Sequence, residues 1–203
     1  PSSEIDMEHD IAPNQVKEVV PKSEYYIQSG ILELNDERDL KTVDLYAYNV
    51  EKGNKGYYDV THFLGQVYSI KNTFSLKGEL RIVPTEHFLL FENQGYYPGT
   101  MQDGKKIDVE DITHNEHYNI FCTDEQAARK FLTPTMISWF DRQISSGLGF
   151  SLNDDRIYLI VKSDLALFTP PKNKKAWKKW NMEKTARQIK SMVASARELA
   201  EMF

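Results

Sequence analysis

One cysteine, Cys122, stands in a chain of 203 residues. That excludes an intramolecular disulfide and any zinc cage built from cysteines. No apolar run approaches the roughly 18–20 residues a helix needs to cross a bilayer. No Gly-x-Ser-x-Gly motif is present, so the strand-to-helix elbow that exposes a serine nucleophile is missing. Ser145-Ser146-Gly147-Leu148-Gly149 has no Lys-Ser/Thr after it and is a helix exit rather than a phosphate loop. No His-Glu-x-x-His frame, internal repeat or cofactor motif is visible, and no cofactor is expected. Residues 1–20 are acidic and have no apolar h-region, so a signal peptide is not expected. A lone thiol suits a reducing compartment. The expected location is the cytoplasm, extending to the inner face of the membrane.

Hydrophobic residues make up 40 % of the chain and charged residues 27 %. That is enough apolar material for one core, and it excludes a wholly disordered chain. The length fits one domain with appendages. The net charge of −5 makes nucleic acid an unlikely partner. Three stretches differ in character: an acidic lead-in over 1–22, an α+β domain over 23–170, and a basic, amphipathic tail over 171–203.

The domain opens with β signals. Phe74–Ile82 carries apolar or small residues at 74, 76, 78, 80 and 82, a period of two that predicts a strand with one wet face. Asp44–Val50 and Gln66–Lys71 are β-branched or aromatic runs, with Gly53-Asn54-Lys55-Gly56 as a turn between them. Connections this short predict an antiparallel meander. A further apolar run follows over 87–92, then a Gly/Pro-rich loop over 93–104 bearing Tyr96 and Tyr97, then a short strand at 118–122. Thr123-Asp124-Glu125-Gln126 predicts a capping box with Thr123 as the cap. Thr133-Pro134 ends that helix and starts another, because proline suits a first helical position and not an interior one. Asn153–Arg156 predicts a hairpin turn, and Ala166–Phe168 a last short strand.

The stretch Tyr118–Trp139, YNIFCTDEQAARKFLTPTMISW, resembles the bacterial family called domain of unknown function 3137. The likeness rests on Ile120, Phe121, Thr123, Asp124, Ala128, Arg129, Leu132, Thr133, Pro134 and Met136. Tyr26–Leu32 (YIQSGIL) and Phe74–Ile82 (FSLKGELRI) resemble the family's Ser-Gly and Phe-x-Gly strands, and the likeness extends over about residues 25–170. It implies a bacterial module, often membrane-associated through hydrophobic spans ahead of it, with no established activity.

Each candidate for chemistry has a plain alternative. His114 and His117, with Asp108 or Asp111, could ligate a metal; the plain reading is two solvated histidines before a strand. Cys122 at a helix start could be an activated thiol; the plain reading is a small buried residue at a strand end. Arg129 could clamp a phosphate or carboxylate; the plain reading is an ion pair. A small-ligand or enzyme site would join Tyr96, Tyr97, His114, His117 and Arg129.

The tail is the most informative segment. From Lys172 to Lys190 it carries eight basic residues and one acid, a net +7 that leaves −12 for the rest of the chain. Lys174, Lys175, Lys178 and Lys179 interleave with Trp177 and Trp180. Ile189, Val193 and Phe203 lie on one apolar stripe with Met192, Ala196, Leu199 and Ala200. Lysine with tryptophan ahead of an amphipathic helix fits an anionic membrane surface; the same residues could instead bind a nucleic-acid backbone. The apolar stripe requires a surface: the domain itself, a second copy or a protein partner. The sequence therefore predicts an α+β fold, an antiparallel sheet packed against a short Pro-separated helix pair, plus a C-terminal amphipathic helix. Its predicted role is non-catalytic binding, to a protein partner, to itself, or to a membrane surface through that helix.

Overall fold

A computed structural model describes residues 20, 23–34, 37–74, 78–88, 91–93, 104–110, 112–153, 155–163, 166–169, 171 and 174–202. The acidic lead-in other than Val20, most of the Gly/Pro-rich loop with Tyr96 and Tyr97, Asp111 and Phe203 lie outside them.

Eight strands form one sheet, and every pairing in it is antiparallel. Three long strands meander: β1 (Tyr25–Leu34), β2 (Leu40–Gly53) and β3 (Gly56–Lys71). The predicted turn at Asn54-Lys55 joins β2 to β3, and Gly53 pairs with Gly56. The meander then breaks. β4 (Leu80–Pro84) does not lie beside β3; the hairpin of β9 (Leu148–Leu152) and β10 (Arg156–Lys162) is inserted between them. β8 (Tyr118–Cys122) and β7 (Lys105–Ile107) finish the order beyond β4. The apolar run over 87–92 contributes β5 (Glu86–Phe88) and β6 (Phe91–Asn93), which pair as a separate ribbon.

The strand predicted over Phe74–Ile82 is shorter and differently buried. β3 ends at Lys71, and Asn72 closes a turn by accepting from the Phe74 amide. Gly78 stands at φ +93°, where a Cβ would meet Thr123 Oγ1 at 2.3 Å. Residues 75–77 of that stretch lie outside the described residues; from Leu80 the backbone is a strand, and there Leu80, Arg81, Ile82 and Val83 are all buried. Over Leu80–Val83 both faces are therefore buried, while Glu79 just before them is exposed.

On one face lie the helices α1 (Ile112–His117), α2 (Glu125–Phe131) and α3 (Pro134–Gln143). Asp124, not Thr123, caps α2, its carboxylate accepting from the Ala127 amide at 3.1 Å. Thr123 Oγ1 instead accepts from the Glu79 amide, tying β4 to β8. Thr133 caps α3 with Pro134 in its first turn. Phe131, Met136, Trp139 and Phe140 from this pair pack on Ile82, Ile120, Phe150 and Leu159 of the sheet. The opposite face carries a second cluster, with Val43, Phe63, Val67, Phe121 and Ile160, and Val20 of the lead-in is fully buried within it.

The tail forms two helices and not one: α4 (Lys174–Lys179) and α5 (Met182–Glu201). Asn181 separates them by capping α5, accepting from the Lys184 amide at 2.9 Å. No described helix is long and apolar enough to cross a membrane.

Candidate functional site

The sequence candidates fall into two places. Around α2, Arg129 donates to Glu125 Oε1 from Nε at 3.0 Å and from Nη2 at 2.8 Å, and to the Asp108 carbonyl at 3.2 Å. Lys105 holds the other Glu125 oxygen at 2.6 Å. The Lys105 hydrogen bond, and then that of Arg129, keep the Glu125 carboxyl below its ordinary range. Arg129 thus makes the ion pair of the plain reading, while its half-exposed guanidinium borders an open groove of about 540 Å³. Leu132, Pro134 and Ile137 give that groove an apolar floor; Glu110, Ser138 and Asp141 give it a polar rim.

His114 is not solvated. It is fully buried, stacks on Tyr118 at 5.0 Å, and shares a 2.8 Å hydrogen bond with Asp141 Oδ1 through Nδ1. His117, at the end of α1, is half-buried, and its carbonyl accepts from the Thr85 amide. Among the described residues no three His, Cys, Asp or Glu side chains gather where a metal ion would need them. The buried Cys122 sits opposite Leu80 and Lys105 in the sheet. Burial, then the nearby Glu125 and Asp124 carboxylates, push its thiol up, the reverse of activation.

The tail divides by environment. Ala196, Leu199 and Ala200 of α5 are buried in the same cluster as the helix pair, and Met192 and Val193 pack at its border. Glu198 takes Arg142 of α3 at 2.5 Å. The other end faces outward: Trp177 is 48 % exposed and Met182 69 %. Lys174, Lys178 and Lys184 are exposed, and among the described residues they join no ion pair. Trp177 meets Trp180 edge to face at 5.0 Å. Ile189 and Val193, predicted on the contact stripe, are half-buried and line a groove with Leu32 and Leu34 of β1.

Sequence reasoning missed a further centre. Asp44 on β2 is buried and accepts from the backbone amides of Leu167, Phe168 and Thr169, each at 2.8 Å, and from Gln66 Nε2 at 2.9 Å. The segment expected to be a last strand, Ala166–Phe168, is therefore a strap hung on one carboxylate. It crosses β1 where Gly30, at φ +59°, leaves room; a Cβ there would lie 2.5 Å from the Phe168 carbonyl carbon. Thr169 donates to Ser29 across the same point. The available signal was a lone acid in the run Thr42-Val43-Asp44-Leu45.

The family described as "Protein of unknown function (DUF3137)" matches residues 61–200. The chain belongs to that family. The match begins inside β3 and ends on α5, so the DUF3137 region takes in the tail as well as the body. The span of likeness expected from sequence, about 25–170, stopped short of that end and began earlier, so the stretch Tyr26–Leu32 lies outside the match. No curated protein matches the chain. Among solved structures, the crystal structure of the mycobacterial trehalose monomycolate transport factor A, TtfA, is similar, at a TM-score of 0.40 and 8 % identity. That likeness covers 84 % of this chain and 88 % of the other.

Proposed function

We propose that this chain is a non-catalytic binding module that lies on an anionic membrane surface, from the cytoplasmic side, through the Lys/Trp segment of α4 and the start of α5. One observation carries the reading. The tail is anchored on its own domain at the far end, yet its near end leaves Trp177, Met182, Lys174 and Lys178 in solvent. Indole beside ammonium groups suits the headgroup layer, where the ring sits at the apolar boundary and each basic residue contributes about 1 kcal/mol. The strap on Asp44 fixes where this segment leaves the sheet.

Co-sedimentation with vesicles tests it. The full chain should bind vesicles rich in phosphatidylglycerol, release them as salt rises, and ignore neutral phosphatidylcholine vesicles. Replacing Lys174 and Lys178 by Gln should lower the partition roughly 30-fold, following from about 1 kcal/mol per charge. Equal binding to both vesicle types, or none to either, overturns the proposal.

A further inference from the structure

The exposed face of α5 carries an order of charge that membrane contact does not use. Along one stripe, at helical spacing, stand Arg187, Lys190, Ala194, Glu198 and Glu201, all exposed. The signs run plus, plus, neutral, minus, minus. The positions are symmetric about Ala194: Lys190 and Glu198 lie four residues to either side, and Arg187 and Glu201 lie seven. A stripe of this kind is complementary to itself when reversed. Beside it runs the groove of about 540 Å³ in which Ile189 and Val193 of α5 face Leu32 and Leu34 at the end of β1, the edge strand of the sheet.

We propose that a second copy of this chain covers this groove, its α5 lying antiparallel to the first about a two-fold axis at Ala194. Lys190 then meets the partner's Glu198, and Arg187 meets the partner's Glu201. Each contact occurs twice, as an isologous interface requires. A parallel approach sets Lys190 beside the partner's Lys190, so the charges select one orientation. Exposed ion pairs contribute little affinity and much register; the half-buried Ile189 and Val193, and Leu32 and Leu34 across the groove, supply the apolar area. Ala194 at the crossing keeps the side chains small where two helices approach to about 8–10 Å between axes. Arg197, also exposed and on the lining of the groove, stands one turn after Ala194 and falls opposite the partner's uncharged Ser191. Glu198 keeps Arg142 on its own domain, which fixes the carboxylate in place for the partner's lysine. At about 1.5 Å per residue, the two copies of Met182 stand about 36 Å apart, so one dimer carries two separated Lys/Trp segments.

Sedimentation equilibrium of the full chain, without vesicles, should show a monomer–dimer equilibrium in the micromolar range. Arg187→Glu alone and Glu201→Lys alone should each weaken it roughly tenfold by placing like charges together, and the double variant should recover to within about threefold of the parent. Both residues are exposed and away from the core, so the fold is unaffected. Ala194→Cys should form a reducible cross-linked dimer on mild oxidation, since the axis brings the two positions within disulfide reach, with Cys122 buried and silent. A strictly monomeric chain, a dimer indifferent to either reversal, a double variant that stays weak, or Ala194→Cys that does not cross-link overturns the proposal.

Discussion

Charge is handled in opposite ways in the body of this protein and in its tail. In the body, charged groups are held by partners. Asp44 has four donors around one buried carboxylate. Arg156 binds Asp39 at 2.5 Å while its Nε donates to Ser69. Glu125 is shared between Lys105 and Arg129. In the tail, Lys174, Lys178 and Lys184 face water with no ion pair among the described residues. Pairing is what a fold demands of charge it takes out of water. A cluster of one sign left outward contributes nothing to the fold and repels itself. The difference separates residues that build the structure from residues that serve a surface outside it.

The sharpest way to break this division is at Asp44. Asp44→Ala strands the amides of Leu167, Phe168 and Thr169 in a buried site, and leaving one side of a buried charged network unpaired typically costs several kcal/mol. We expect a loss of about 4 kcal/mol in urea unfolding. A loss below about 1 kcal/mol would mean that water replaces the strap at no expense and that the body's charges are not structural. Next in size is the tail's own anchor. Leu199 is fully buried against the sheet side of the core, so Leu199→Ala should cost about 3 kcal/mol. If stability is unchanged, the tail is an appendage and the contrast moves from body against tail to domain against free helix.

What was legible beforehand follows the same line. Elements set by local chemistry could be read directly: the Asn54-Lys55 hairpin, the break at Thr133-Pro134, the turn at 153–156. The one-residue shift from Thr123 to Asp124 as cap could not, because both side chains suit the role and β4 claims Thr123 from a distance. The double burial of β4 was hidden for a related reason. Arg81 reads as a solvent-facing residue in sequence, yet it is buried with its guanidinium 5.5 Å from the Phe121 ring. His114 was misjudged because only the fold brings Asp141 and Tyr118 against it. Asp44 was invisible as a centre, since three of its four donors lie more than a hundred residues away. Of the tail's apolar stripe, Ala196, Leu199 and Ala200 are buried and Met192 and Val193 pack at the border of the core, while the cap at Asn181 that divides the tail into two helices was passed over.

A smaller effect separates paired surface charge from unpaired. Glu125 is held below the ordinary carboxylate range, first by Lys105 and then by Arg129. Its folded value lies below its unfolded one, so the folded chain binds fewer protons and the gain is complete above about pH 4.3. The gain drains away as pH falls through the folded value. The stability difference between the parent and Glu125→Gln should therefore shrink between about pH 6 and about pH 3 in urea titrations. A difference that is flat or that widens toward acid would show the cluster to be ornamental and would erase the distinction at the surface.

The smallest expected effect is the most discriminating. Replacing Lys174 and Lys178 by Gln should leave folding stability within about 0.5 kcal/mol of the parent, as for surface positions without structural partners. Relief of repulsion among neighbouring cations, if it registers, acts in the stabilising direction. The same variant should lose most of its binding to anionic vesicles, so two readouts from one protein separate surface service from folding. Were the double variant instead to unfold at lower urea by more than about 1 kcal/mol, those lysines would be holding the tail against the acidic body. The net +7 at the start of the tail would then be internal glue, and the exposed Trp177 would be left without a charged companion to bring it to a membrane.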